Sequence, residues 1–531
     1  MSPRRPSLRI ALLSAGAIAL ALLLLFGRLS PAELPVPPYA DVIISGVTVI
    51  NPGIERLADY SIVVRGGRIL EVRPGRPDDP TPLCSACYAV PGLIDAHVHT
   101  PPRVALGNQE LFSLLYLAHG VTTVRDVGAS EGSVAKLAAR LNGGQLVGPR
   151  MFRCGPVLDG DPPGWPIATV VSGAESGAAI VDQLAEDGVD CIKVYNEMQP
   201  DAFAAVAAAA KRHALPLVGH VPHAVGLGQV SDFEAQHMTG VPYLSRPRPP
   251  LGWDLRDEDV LLLTDREIDA ALQVARRQRV SFTPTLANFT LRLTASDPQR
   301  FPPSPGSRLL PEYWAGAWDL IAGHPSTHEA IERRLKTRPS MRALVRRAHQ
   351  HGVDILAGTD TMMPWVVPGE SLHLEMAALH EALGSAEAAL AAATTVNGRH
   401  IAPGDLGVIA VGARADLLLT MQDPTEHLAA LADWRVVFAD GRRYDRSTVD
   451  AWLEGYRRHF RGGLYQDVVG TVVSFVVDRF EHTSNDAGES VAVTRALSRV
   501  PPGRIPRLHA ATGTSTASAA PKERVAEGSG T

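Results

Sequence analysis

The chain has 531 residues, a formal net charge of −5 and 20% charged residues. That length supports two or three domains and a large core. No basic stripe stands out, which argues against a nucleic-acid binder.

The N-terminus opens MSPRRPSLR, so Arg4, Arg5 and Arg9 precede the apolar run IALLSAGAIALALLLLF from Ile10 to Phe26. A basic flank followed by an apolar run reads as a signal peptide or a signal anchor. The run is 17 residues long, at the short end of the ~17–25 that span a bilayer. Ser30-Pro31-Ala32 offers a small-x-small cleavage site, so a cleaved signal and an uncleaved anchor both stay open. Either one places the rest of the chain outside the cytoplasm: secreted, periplasmic, or membrane-anchored and facing outward. The Pro-rich LSPAELPVPP (29–38) reads as a linker and closes a leader region of 1–38.

ADVIISGVTVI (40–50) and YSIVVRGGRILEVRPG (60–75) read as strands and make 39–89 the first part of a small β-domain. Cys84 and Cys87 form CSAC within it, while Cys154 and Cys191 stand alone. In an exported chain CxxC is a disulfide or a redox pair. A second ligand pair for zinc is missing. The motif precedes a strand rather than a helix N-terminus that would activate a thiol, which favours a structural role.

From residue 90 short apolar strands alternate with helical segments. The strands lie in VPGLIDAHVH, VTTVRDVG, GPRMFRCGP, DCIKVYN, LPLVGHVP, FEAQH, VSFTPTL and VDILAGTD. Stretches such as AAIVDQLAEDG, DAFAAVAAAAKRHA and MRALVRRAHQHG lie between them with helical periodicity. Such alternation argues for parallel βα units, and eight of them for a (β/α)8 TIM barrel, about 250 residues in its usual form and here spanning 90–402. The stretches 241–262 and 287–340 exceed what barrel loops need and read as lid or substrate-facing insertions. DLGVIAVGARADLLLT (405–420) and WRVVFADGRRY (434–444) return to strand character, so 403–446 would complete the β-domain as a sandwich. Region 447–484 reads as a helical extension docked on the barrel, with an apolar run, VVGTVVSFVV, that has no evident role. The Ala/Ser/Thr/Gly-rich tail 485–531 is expected to be disordered.

The stretch VPGLIDAHVHT carries the chemistry. His97 and His99 are i and i+2, so they project to one side at the C-terminal end of the first barrel strand, the end that carries active sites in this fold. Two neutral imidazoles on one side make a good metal chelate. One HxH is weak on its own, but other ligand types end other strands: His220 in VGHVP, His237 in FEAQH, Asp360 in LAGTD and Lys193 in IKVYN. A lysine inside an apolar strand buries a charge, which is costly if unpaired. Carboxylation by CO2 would turn it into an anionic oxygen ligand able to bridge two metals. Taken singly, each histidine also reads as a satisfied core residue, and Lys193 as a salt-bridge lysine beside a mononuclear site.

PGLIDAHVHT, IKVY, GHVP, the EAQH stretch and LAGTD resemble the amidohydrolase superfamily of metal-dependent hydrolases. DLGVIAVGARADLLL resembles the sandwich strand that closes such chains. The resemblance runs from about residue 40 to 445, and its nearest subgroup is imidazolonepropionase-related and prolidase-like. It implies two divalent metal ions, zinc being the usual one. His97, His99 and Asp360 would hold the more buried ion and His220 and His237 the outer one, with carboxylated Lys193 bridging. It further implies a metal-bound hydroxide as nucleophile, Asp360 as general base and then general acid, and Tyr195 as a hydrogen-bond donor to the tetrahedral oxyanion; a packed rim tyrosine is the alternative. By position, His223, His373 and Arg125 are candidates for substrate binding. For His223 a plain loop role, and for Arg125 a pairing with Asp126, stay open.

The resulting expectation is an exported hydrolase cleaving a C–N amide bond in a small, peptide-like substrate such as an Xaa-Pro dipeptide or an N-acyl amino acid. Homo-oligomerisation is left open. One rival is a mononuclear cyclic-amide hydrolase or deaminase, against which Lys193 argues. The other is a non-catalytic, membrane-tethered binding protein, against which the retained Asp360 argues.

Overall fold

Four strands open the described chain: β1 (Val42–Asn51), β2 (Glu55–Arg65), β3 (Arg68–Pro74) and β4 (Tyr88–Pro91). The computed structural model describes residues 24–84, 86–128, 131–165, 167–241, 258–322 and 328–476. Most of the apolar leader run, much of the expected insertion at 241–262 and the tail lie outside the described residues. Among those residues no helix is long and apolar enough to cross a membrane.

Nine short strands follow: β5 (Leu93–Val98), β6 (Val121–Asp126), β7 (Arg150–Arg153), β8 (Val157–Asp159), β9 (Thr169–Val170), β10 (Ile192–Val194), β11 (Leu217–Gly219), β12 (Phe233–Gln236) and β13 (Ser281–Thr283). Every pairing among them is parallel: β5–β6–β7 form one sheet, and β9–β8–β10–β11–β12–β13 another. Helices connect them, for instance Asn108–Ala118, Ala174–Glu186 and Pro200–Arg212. Seven of the nine are wholly buried, as parallel strands covered by crossover helices must be, while β7 and β9 are largely half-buried or exposed.

Two predicted strands differ in detail. The third is broken, because β7 pairs β6 while β8 pairs β10. The eighth, VDILAGTD, forms only an isolated parallel bridge between Phe282 and Ile355. Its backbone nonetheless bonds to both sides: Leu356 N donates to Phe282 O at 2.8 Å, and Ala96 N to Ala357 O at 3.1 Å. Gly358 allows this wedge. A Cβ there would lie 2.6 Å from Thr283 Cγ2 and 2.7 Å from His97 Cβ, so any side chain would push the segment off its neighbours.

β14 (Leu417–Thr420), β15 (Trp434–Ala439) and β16 (Arg442–Asp445) return to the first four strands. They form one seven-stranded sheet in the order β16-β15-β14-β4-β1-β2-β3, antiparallel except where β1 meets β4. Ile69 at the far edge bonds back to Gly412 and Ala413, just ahead of β14. Ile44, Ile62, Val64, Leu417, Leu419 and Phe438 pack together within this sheet as a core separate from the main one.

The segments read as linker and extension are built into the fold. Leu29 is buried, and its carbonyl accepts from His459 Nε2 at 3.0 Å. The Ala32 carbonyl accepts from Tyr456 Oη at 3.0 Å. His459 and Tyr456 lie on the helix Arg446–Phe460, and a second helical stretch, 463–476, follows. Buried Asn108 ties that stretch to the first connecting helix and to the 287–340 insertion, which is largely helical. Its Nδ2 donates to Tyr313 Oη and Tyr465 Oη, both at 2.8 Å, and its Oδ1 accepts from Trp314 Nε1 at 2.8 Å.

Asn108→Leu removes all three bonds: the buried Trp314 indole loses its partner, at about 1–3 kcal/mol, while Tyr465 Oη keeps its bond to the Leu106 carbonyl and Tyr313 Oη is left with Tyr465 Oη at 3.4 Å. The variant is expected to unfold at lower temperature and to show faster proteolytic cleavage within 463–476. Unchanged melting and cleavage would contradict the anchoring role given to Asn108.

Candidate metal centre

The ligand-type residues sit at the C-terminal ends of the parallel strands. β5 ends at Val98 between His97 and His99, β10 carries Lys193, His220 follows β11, and His237 follows β12. Gly219 fixes the height of His220, since a Cβ at 219 would fall 2.1 Å from the Val194 carbonyl oxygen. Asp360 stands in the left-handed region at φ 63°, a costly conformation for an aspartate that persists only when its surroundings impose it. Here the surroundings are Gly358, the bond from Asp360 N to His97 O at 2.8 Å, and Asn288, whose Nδ2 donates to Asp360 Oδ2 at 2.8 Å.

The functional atoms converge. His97 Nε2 and His99 Nε2 lie 3.2 and 3.3 Å from Asp360 Oδ1 and 3.4 Å from each other. His237 Nε2 is 3.9 Å from Asp360 Oδ2, and His97, His237 and Asp360 offer ligand atoms all within 4.8 Å of one another. The His220 ring centroid is 5.0 Å from that of His237. Each imidazole uses its Nδ1 elsewhere: His97 on Gln236 Oε1, His99 on the Gly128 carbonyl at 2.8 Å, His220 on Asn196 Oδ1 at 3.0 Å and His237 on Thr285 Oγ1 at 2.6 Å. Outer hydrogen bonds of this kind fix the tautomer and turn Nε2 toward a metal. Burial, reinforced by the nearby Lys193, holds His97 down at about 3, so its ring is neutral and ligand-competent. The donor set and its outer bonds therefore fit a divalent cation.

Lys193 is 2% exposed. Burial lowers its amine to about 8. No carboxylate forms an ion pair with it among the described residues, which departs from a salt-bridge reading. Its stem lies beside Gly128, next to His99: the position a Gly128 Cβ would take is 3.8 Å from both Lys193 Cγ and His99 Cε1. Two residues upstream, buried Cys191 is disulfide-bonded to Cys154, which joins the end of β7 to the start of β10. Cys84 and Cys87 form the other disulfide, and no cysteine is free.

The remaining candidates divide. The Tyr195 ring packs 4.1 Å from that of His220, and His223 Nδ1 lies 3.2 Å from Glu197 Oε1 in the loops after β10 and β11, so both stand on the ligand side. Arg125 does not. It is 3% exposed, donates to the Ala96 carbonyl at 3.0 Å and pairs with buried Glu234 instead of Asp126. Its hydrogen bonds reach the cluster through Glu234, Gln236 and His97. His373 is also elsewhere: its Nε2 bonds the His119 carbonyl at 2.9 Å, ahead of β6 rather than beyond it. Thr359 is structural, donating to Asp95 Oδ2 at 2.7 Å.

The model of the amidohydrolase family matches residues 88–443. The chain belongs to the amidohydrolase family. It is a hydrolase of amide C–N bonds. Among solved structures it is similar to bottromycin amidohydrolase, with 26% identity, a TM-score of 0.62, and 82% of this chain and 93% of that chain covered. Two further structures share the fold: an Xaa-Pro dipeptidase with bound methionine in its active site (20% identity, TM-score 0.55, 76% and 99% covered) and a prolidase complexed with N-methylphosphonate-L-proline (20%, 0.54, 76% and 99%). No curated relative matches the chain.

Sequence reasoning missed Gln236, Glu234, Thr285, Asn196 and Asn288, polar residues next to or facing the ligands. It also missed Glu375. This residue is fully buried, and its Oε2 accepts from Ala287 N at 2.6 Å, just before Asn288. Burial pushes its carboxyl up to about 8. The folded state therefore holds a proton that the unfolded state has lost above its ordinary range. Stability must fall as pH rises from the ordinary glutamate value toward 8, then level off. Glu375→Gln removes this loss. Denaturant midpoints at about pH 5.5 and about pH 8.5 should drop less in the variant than in the parent; equal drops would contradict a protonated Glu375.

Proposed function

We propose that this chain is an exported, metal-dependent amidohydrolase acting on peptide-like or N-acyl amino acid substrates. The observation that carries this reading is the convergence of His97, His99 and His237 on one buried carboxylate, Asp360. Two divalent ions, zinc the expected one, would be held by His97, His99 and Asp360 and by His220 and His237. Lys193 would serve as a further, anionic oxygen ligand once its neutral amine adds CO2 and releases a proton. Its burial without an ion-pair partner, and an amine lowered to about 8, support that chemistry. The proposal also closes the two parallel sheets into one eight-stranded barrel, through the double bonding of segment 353–360, and reads the seven-stranded sheet as the flanking sandwich. Export is supported by the pairing of all four cysteines, since structural disulfides belong to oxidising compartments.

A bound dication supplies acidity, lowering the pKa of water from 15.7 to about 7. The chain's residues do the rest. Asp360 is fixed on one side by Asn288 and on the other by two imidazoles, and it is placed to take a proton during attack and return it to the departing nitrogen. Tyr195, packed on His220, is the donor for the developing oxyanion. His223, whose Nδ1 lies 3.2 Å from Glu197 Oε1, is the candidate for binding the substrate's polar end. The peptide-like choice draws on the dipeptidase and prolidase likenesses.

The test is a panel of Xaa-Pro dipeptides and N-acyl amino acids with the zinc-loaded full chain. Hydrolysis is expected, and Asp360→Asn should lower kcat by about 10²–10⁴-fold, the usual worth of general acid–base catalysis, with the circular dichroism spectrum retained. A wild-type protein inert on this panel yet active on cyclic amides or in deamination would overturn the substrate assignment.

A further inference from the structure

The run VVGTVVSFVV begins on the helical stretch 463–476, which holds it as far as Val476, and catalysis gives it no role. Helical periodicity divides this stretch into two faces. Tyr465, Val469 and Val473 are buried at 2–4% exposure and pack inward. The other face carries Leu464, Val472, Phe475 and Val476, exposed at 46%, 47%, 66% and 39%, with half-buried Val468 between them. Scattered exposed apolar side chains are normal on a protein surface. A continuous apolar stripe along one helix is not, and such a patch marks an interaction surface.

What covers the stripe is indicated by the strand of chain beside it. Leu24 and Phe26 are also exposed, at 61% and 58%, and they end the apolar run that starts at Ile10 behind Arg4, Arg5 and Arg9. Three residues after Phe26, the Leu29 carbonyl is held by His459, whose ring centroid is 5.3 Å from that of Tyr465. The described end of that run, Leu24–Phe26, and the start of the apolar stripe therefore flank the same His459 contact. Exposed Arg28 and Arg458 border it, as cations border a helix lying in a lipid headgroup layer.

We infer that the outer face of 463–476 rests on the bilayer that receives the leader run, so the protein meets the membrane through two elements. The hydrolytic reading plays no part in this inference.

The experiment places p-benzoylphenylalanine at 475 (Phe475→p-benzoylphenylalanine) in the full chain, reconstituted in phosphatidylcholine–phosphatidylglycerol vesicles. Adducts formed on irradiation are read by mass spectrometry. The control probe is at Val411, exposed at 67% on the seven-stranded-sheet side. The expected result is a lipid adduct at 475 and none at 411. An adduct from 475 to residues 10–23 would mean the leader run covers the stripe. An adduct to a second chain would mean a dimer does. No adduct would mean the stripe faces water. Each of these three results overturns the inference.

Discussion

Asp360 is almost out of water, and its carboxylate faces two imidazoles on one oxygen and an amide on the other. This placement governs the rest of the structure. His97 and His99 are turned Nε2 to Nε2 at 3.4 Å, with both Nε2 atoms beside the Asp360 carboxylate, so a divalent cation bound there would meet all three groups at once. To bring Asp360 there, segment 353–360 must press between β13 and β5, which requires glycine at 358 and a left-handed backbone at 360. A strained residue at a strand end is consistent with function rather than packing.

Around this point a layer of uncharged and paired groups fixes direction. Gln236, the Gly128 carbonyl, Asn196 and Thr285 each take the Nδ1 of one histidine. Arg125 and Glu234 compensate each other's buried charge and steady Gln236. Removing either partner would leave an uncompensated charge inside the strands. The Cys154–Cys191 disulfide ties the third strand to the one bearing Lys193. The candidate ligands are thus set on strand ends braced by hydrogen bonds and a disulfide.

The ligand positions were legible because each is a short motif at the end of an apolar strand, and the period-2 and period-3.6 patterns locate those ends. What supports them was not. Gln236 sits beside His237 in the same EAQH stretch, but an amide carries no signature that separates a histidine's partner from an ordinary strand residue. Arg125 and Glu234 are 109 positions apart, and Cys154 and Cys191 are 37 apart, so no local pattern links them. By its place near the last strand His373 reads as a substrate-binding candidate, but its Nε2 bonds the carbonyl of His119, a contact only the tertiary fold creates. LSPAELPVPP has the composition of a tether, yet its backbone carbonyls are hydrogen-bonded to Tyr456 and His459. Proline-rich sequence predicts an extended chain and says nothing about whether that chain is docked.

We propose that these histidines, Asp360 and Lys193 form one metal centre. The most direct measurement is the metal content per chain of the purified full-length protein prepared with zinc and bicarbonate. The account predicts close to two ions per chain. One ion would remove Lys193 from the centre, and none in a well-folded protein would contradict the account.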